Sequence, residues 1–492
     1  MHDDIYRLDE YFQNHSDLHL PIPPEGMRWS ARVWVSDLGE WIALFRPMNL
    51  GLYYIAKASL TTASSVTFPW NSLHKERLIR PEVTDIDQRD HRALSQRAQS
   101  GTFRFLCILP TTSCTLRCAY CHQQPGPGRE RTMTLSEIDA GLEKCAALCT
   151  DTSQPVDILI YGGEPLNAFH ITEAIIAKTR NGGNLFKQPV RLSFTTSGVG
   201  MTATQAQILA EADAFVILSV DGPPEINDNV RVSSEIQSSF EAAMQAYRLL
   251  KENGCRLGLS VTIGRHNVAS LRSAVADLLG YFKINDIGLN AFLHWKGDRP
   301  NPYQVDVEDA FESYIEAFEV TREAGVFAEQ PFRRIKPFAR RIPLVKDCSS
   351  PAERLVLAPG GVMGFCDSCY PDQQYFYRYS DFPKSSEPDH RLWASLSAPD
   401  MPECSICPVM TVCGGACRYD AFKASGKLDG VDPERCRFER AFLNWIIQDL
   451  FNRLDVGQKA YYLPSDEERF KLFGNVQMKP EDQPFTAGSY SL

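Results

Sequence analysis

The feature that most constrains this chain is a rhythm. Between residues 99 and 330 short apolar runs rich in β-branched residues alternate with helical patterns. Six strand candidates follow one another: "FRFLCILP", "VDILIYGG", "VRLSFTTSG", "AFVILSVDG", "RLGLSVTIG" and "DIGLNAFLH". Runs of this length, bounded by Gly or Pro, read as parallel strands buried on both faces. Helices separate them. "TLSEIDAGLEKCAALC" opens with a Thr134 to Glu137 capping box. "SSFEAAMQAYRLLKENG" spaces Phe240, Met244, Tyr247 and Leu250 along one face and stops at Gly254, and "SLRSAVADLLG" repeats the device with Leu271, Val275 and Leu278 before Gly280. Six βα units predict an α/β fold, a partial (β/α)6 TIM-like barrel whose loops at the strand C-termini carry the site.

The flanks break the rhythm. Residues 1–98 mix short strand-like runs, "ARVWVS" and "LGLYYIAKASL", with a polar helical stretch near "DIDQRDHRALSQRAQ"; a small α+β region is expected there. Residues 345–440 are rich in Gly, Pro and Cys with little periodicity, so stability is expected from bound metal rather than from a core. Residues 441–492 are expected as an amphipathic helix, "RAFLNWIIQDLFNRL", and a polar tail.

Composition removes several classes. The N-terminus "MHDDIYRLDEYFQNH" lacks the basic start and apolar run of a secretory signal. No apolar stretch approaches the roughly 20 residues that cross a bilayer, so a cytoplasmic protein with no membrane partner is expected. With 51 Lys plus Arg against 61 Asp plus Glu, the net charge is -10, which disfavours nucleic acid as a partner. The 15 cysteines are not expected to pair as disulfides in a reducing compartment. Clustered ones therefore point to metal.

"TTSCTLRCAYCHQ" places Cys114, Cys118 and Cys121 directly after the first strand in C-x3-C-x2-C spacing. Structural zinc takes four ligands, and His122 would complete a Cys3His set. Three thiolates on a four-iron cluster instead leave one iron open for a small molecule. Cys107, inside the first strand, reads as core, as do Cys145 and Cys149 on a helix face and Cys255 before a strand.

With Tyr120 ahead of the third cysteine, this motif resembles the radical SAM superfamily. The resemblance implies a [4Fe-4S] cluster whose open iron chelates S-adenosyl-L-methionine (SAM), and one-electron cleavage to a 5'-deoxyadenosyl radical that abstracts a substrate hydrogen. "YGGEP" after the second strand resembles the family's GGEP segment, which makes Gly162, Gly163, Glu164 and Pro165 candidate contacts to the methionine ammonium. The glycines let backbone approach the ligand. "TTSG" supplies Thr196 and Ser197 near the ribose, and "SVDGPPEINDNVR" supplies Ser219 and Arg231 near the carboxylate. Asp221 has a turn-capping alternative. "VTIGRHN" resembles the segment that contacts adenine.

Near the C-terminus "CSICPVMTVCGGAC" gives Cys404, Cys407, Cys413 and Cys417 as C-x2-C-x5-C-x3-C, with Cys436 eighteen residues on and Cys348 leading through Gly361 to Cys366 upstream. This order resembles the SPASM extension of peptide-modifying radical SAM enzymes. It implies two auxiliary [4Fe-4S] clusters, one on Cys348, Cys366 and Cys417 and one on Cys404, Cys407, Cys413 and Cys436. Cys369 is the candidate fourth ligand of the first cluster, against an open iron or a small zinc site shared with Cys366.

The function implied is that of a maturase. It would abstract hydrogen from a residue of a ribosomally made peptide or protein, giving a crosslink (thioether, C-C or C-O) or an oxidised side chain, with a reductant such as flavodoxin or ferredoxin as a further partner. One alternative is an anaerobic sulfatase-type maturase that oxidises Cys or Ser, where the sixth strand offers Asn290 and His294 before any Asp. The other is a non-catalytic iron-sulfur electron-transfer protein. The sequence names no general base.

Overall fold

The computed structural model describes residues 5–62, 68–99, 101–121, 123, 130–180, 185–293 and 301–477. His122 and His294 lie outside the described residues. Contacts divide the described chain into two compact units. One draws on 1–100, 332–347 and 396–474, and the other on 101–331, 348–395 and the chain from 475 on. The Cys-rich residues 345–440 divide between the two units. None of the 15 cysteines forms a disulfide, and no helix among the described residues is long and apolar enough to cross a membrane.

The strands of the first unit are β1 (Ile5–Arg7), β2 (Met27–Trp29), β3 (Trp34–Leu38), β4 (Trp41–Arg46), β5 (Gly51–Ala56) and β6 (Ile79–Pro81). β1, β3, β4 and β5 form an antiparallel sheet, and β2 pairs with β6. The polar stretch after them is the helix Ile86–Gln99, whose Asp87 and Asp90 clasp the buried Arg46 guanidinium at 2.8 and 2.9 Å. Such a buried pair is costly to break on one side.

The second unit holds the barrel strands β7 (Phe105–Ile108), β8 (Val156–Ile160), β9 (Val190–Thr196), β10 (Phe215–Ser219), β11 (Arg256–Ile263) and β12 (Asp286–Ala291), all parallel and in sequential order. β13 (Phe327–Ala328) extends the β12 edge. The expected six βα units are all present.

The residues on the sheet's two faces differ. On one lie Leu106, Ile108, Ile158, Ile160, Phe194, Val216, Leu218, Leu259 and Ile287, all buried. The register sets the other face in rows: Cys107 with Leu159 and Ser193, Thr195 with Ile217 and Gly258, Ser219 with Ser260 and Gly288. Both faces were expected to be apolar. Instead the second face becomes small and polar across β9 to β12, which leaves room and hydrogen-bonding groups on one side of the sheet.

The Cys-rich stretch also departs from expectation. β14 (Arg354–Ala358) joins the barrel sheet parallel to β7, and β15 (Val362–Gly364) and β16 (Phe376–Arg378) continue it antiparallel. Leu355, Val356, Leu357, Met363, Phe365 and Trp393 are buried, and Val356, Ala358 and Tyr370 share one apolar cluster with Cys107, Leu109 and Leu159 of the barrel, so this segment is stabilised by a core and not by metal alone. The expected C-terminal amphipathic helix runs Pro433–Asn452, beginning before residue 441 and carrying Cys436 in its first turn, and a short helix, Asp466–Arg469, follows it. A last strand, β17 (Tyr461–Tyr462), pairs with β5.

Candidate functional site

The loop after β7 carries Cys114, Cys118 and Cys121. It is pinned to the segment after the short helix Pro224–Val230: Arg117 N–H donates to Val232 O at 2.7 Å and Ala119 N–H to Val230 O at 3.0 Å. The three thiols lie within electrostatic reach of one another, and burial pushes Cys114 and Cys118 up to about 12, with Arg231 pulling Cys118 back. Buried thiols held in one group fit a cationic iron cluster, which would reverse that shift. No three such side chains close on a single-ion position among the described residues, so the thiols offer a grouping rather than a preformed mononuclear site.

The loop after β8 is the second wall. Gly163 N–H donates to Thr111 O at 2.9 Å and Glu164 N–H to Ser113 O at 2.7 Å. A Cβ on Gly162, at φ +132, would stand 2.7 Å from Thr111 O, and one on Gly163 would collide with the Ser113 carbonyl. The glycines are thus required by the cysteine loop's own backbone, a reason that the ligand-approach reading did not contain. Pro165 opens a 3-10 turn that follows. Glu164 is 1% exposed. It accepts from Thr196 Oγ1 at 2.6 Å, from Ser197 N–H at 2.9 Å, from Leu166 N–H at 3.2 Å and from the Ser197 hydroxyl. Burial raises its carboxyl and these hydrogen bonds pull it back. Glu164, Thr196 and Ser197, separate in sequence, are therefore one assembly.

Asp221 organises the third wall. It is fully buried and binds Arg231 through Nε at 2.9 Å and Nη2 at 3.1 Å, the Thr262 N–H at 2.8 Å and the Tyr120 hydroxyl. Arg231 turns its remaining Nη1 toward Cys118 Sγ, 4.0 Å away. Asp221 does not cap its turn; Asn227 does, accepting the Asp221 N–H at 3.0 Å. Tyr120 stacks on His266 with ring centroids 5.6 Å apart. Burial holds His266 below the ordinary imidazole range against the opposing pull of Asp221, whose Oδ2 stands 3.8 Å from its Nε2.

Sequence reasoning missed His266 as an individual residue, although it quoted the segment that holds it. It also missed Gln330, beyond the βα repeats, whose amide joins Asn290 Oδ1 at 2.7 Å and Leu289 N–H at 2.6 Å. Ser219 ends β10 beside Ser260, and Asn290 Nδ2 donates to Ser260 Oγ at 3.2 Å.

In the other unit Cys404, Cys407, Cys413 and Cys436 act electrostatically on one another. Arginines surround them: Arg418 acts on Cys404, Arg440 donates to Cys407, and Arg334 acts on Cys413. Cys417 caps the helix Arg418–Ser425 in this unit, while Cys348, Cys366 and Cys369 belong to the barrel unit.

Fold and site together define an enzyme of the partial-barrel class, with a three-thiol loop, a buried glutamate and an Asp–Arg pair gathered at the C-terminal ends of the strands. Residues 108–278 match the Radical SAM superfamily. The Fe-coproporphyrin III synthase of Methanosarcina barkeri is 30% identical over 176 residues, covering 35% of this chain and 40% of that protein. Among solved structures, anSMEcpe with bound AdoMet superposes with a TM-score of 0.60 at 17% identity over 71% of this chain and 94% of that one. Streptococcus suis SuiB bound to S-adenosylmethionine does so with a TM-score of 0.51 at 15% identity over 82% and 99%. The same two proteins match as complexes with Cp18Cys peptide and with precursor peptide SuiA.

Proposed function

We propose that this enzyme is a radical SAM/SPASM maturase acting in the cytoplasm on a ribosomally made peptide or protein. Cys114, Cys118 and Cys121 would hold the SAM-binding [4Fe-4S] cluster. When bound, that cluster supplies the electron that cleaves SAM to a 5'-deoxyadenosyl radical. Glu164, Thr196, Ser197, Ser219 and Arg231 would hold and orient SAM, and Tyr120 would fix Arg231 through Asp221. Removing hydrogen from a side chain leaves a second electron to dispose of, which auxiliary clusters would accept.

The observation that carries this reading is the gathering of Cys404, Cys407, Cys413 and Cys436 among three arginines. A chain needing only SAM chemistry has no use for it. Peptide as substrate is supported by anSMEcpe and SuiB, both solved with peptides. The outcome, a crosslink or an oxidised side chain, belongs to this proposal, as does a flavodoxin or ferredoxin donor. A sulfatase-type oxidation asks for a carboxylate at the end of β12, where Asn290 stands with its amide tied to Gln330 and Ser260.

The test is anaerobic reconstitution with iron and sulfide, reduction with dithionite, and measurement of 5'-deoxyadenosine and of peptide mass with candidate precursor peptides. A peptide lighter by two hydrogens, formed only when all three triad cysteines are present, is expected. 5'-Deoxyadenosine release with small-molecule turnover and no change in any peptide would overturn the maturase reading.

A further inference from the structure

We infer that Cys107, the thiol in the first barrel strand, is a cluster ligand that holds an iron-sulfur cluster together with Cys348 and Cys366. This rests on the reading above, that the C-terminal thiols carry auxiliary clusters. It adds Cys107 beside Cys369 as a candidate for the missing ligand and gives chemistry to a residue that reads as core from sequence and packs beside Leu109, Leu159 and Val356 in the fold.

The geometry begins with register. Cys107 in β7 pairs with Val356 in β14, and Arg354, two residues earlier in β14, pairs with Phe105. Because side chains alternate along a strand, Cys107 and Arg354 face the same side of the sheet on neighbouring strands. Arg354 then grips two separate segments. Its Nη1 donates to Asp367 Oδ1 at 2.9 Å and its Nε to Ser349 Oγ at 2.9 Å. Asp367 follows Cys366 and Ser349 follows Cys348, so one guanidinium draws both thiol-bearing segments to the face that presents Cys107.

Charge agrees with this placement. Arg354 feels Cys348, Cys107 and Cys366, and Cys107 in turn feels Cys366 and Asp367. The three thiols are 2%, 6% and 6% exposed. Arg354, ion-paired with Asp367 at 2.9 Å, is the charged group that all three thiols face. Tyr161 lies within reach of Cys121 and Arg231 and also of Cys107 and Asp367, which sets this thiol group one side chain from the SAM site.

A core cysteine predicts something different. Replacing a buried thiol by valine or alanine would change packing and leave iron untouched. The test uses the full chain purified without oxygen, with Cys107→Val, Cys107→Ala and Cys348→Ala compared against wild type. The readouts are iron and acid-labile sulfide per chain, and EPR spectra before and after reduction.

Cys107→Val is expected to lose about as much iron as Cys348→Ala, roughly four atoms for one [4Fe-4S] cluster, or to show the signal of a three-iron cluster. The spectral change on adding SAM, which reports the Cys114 triad, should persist and shows that the barrel is folded. Wild-type iron content in both Cys107 variants, with iron lost in Cys348→Ala, would overturn the inference and leave the proposed function standing. A wild type whose iron disappears entirely when Cys114, Cys118 and Cys121 are replaced by alanine would sink both.

Discussion

At the scale of single residues, the site is a set of buried polar groups that satisfy one another. Asp221 shows this best, since it serves Arg231, Tyr120 and the Thr262 N–H at once. Asp221→Ala leaves Arg231 charged and unpartnered in a dry site, a loss of roughly 3–5 kcal/mol. The expected result is a lower urea midpoint in anaerobic unfolding, with Asp221→Asn less affected. Gly163→Ala acts through shape, because its methyl would displace the Ser113 carbonyl. It is expected to cut 5'-deoxyadenosine formation at least about tenfold, some 1.4 kcal/mol, with the iron content kept.

His266 predicts a pH dependence. Its ring stays neutral in the native state at pH values where the unfolded chain binds a proton, so its contribution is complete above about pH 6.5 and is lost as pH falls toward the lowered native value. His266→Gln should flatten the stability difference measured between about pH 5.5 and 7.5. The residues legible from sequence were those with spacing to announce them, the cysteines and the GGEP glycines. His266 and Gln330 carry no such spacing; only the folded chain brings them to the site.

At the scale of elements, the barrel was readable because each βα unit pairs neighbours in sequence and its strands and helices carry a strong apolar period. Every strand candidate became a strand, and the Thr134 capping box formed as drawn. β14 was not readable. Its "RLVLA" run sits in a stretch dominated by Gly, Pro and Cys, and its partner β7 lies some 250 positions earlier, a pairing that no local pattern signals. One cap joins the two regions. Glu137 accepts the Thr134 N–H at 2.7 Å and the Gly360 N–H, beside the β14–β15 turn, at 3.0 Å. Thr134→Ala is expected to cost about 1 kcal/mol. Glu137→Ala should cost more by about 0.5–1.5 kcal/mol, because it releases that turn as well; urea denaturation of the two variants checks the order.

At the scale of the whole molecule, neither unit is a continuous piece of sequence. The barrel sheet takes β14 to β16 from the Cys-rich stretch, so a fragment of residues 101–331 would present β7 as a bare apolar edge open to other chains. That fragment is expected to elute as aggregate on size exclusion, and extending it to residue 395 should restore part of the monomer.

The interrupted first unit has a consequence in time. Tyr54 of β5 bonds Ile447 O at 2.9 Å and its ring lies 5.0 Å from that of Phe451, yet some 390 residues separate them in synthesis. At about 5–20 residues per second, the opening sheet leaves the ribosome roughly 20–80 seconds before the helix that completes it. During that interval its unfinished surface is open to chaperones and to other nascent chains. The last thiol of the four, Cys436, emerges on that same late helix, so completion of this fold and of the proposed cluster-binding thiol group fall at the same moment of translation.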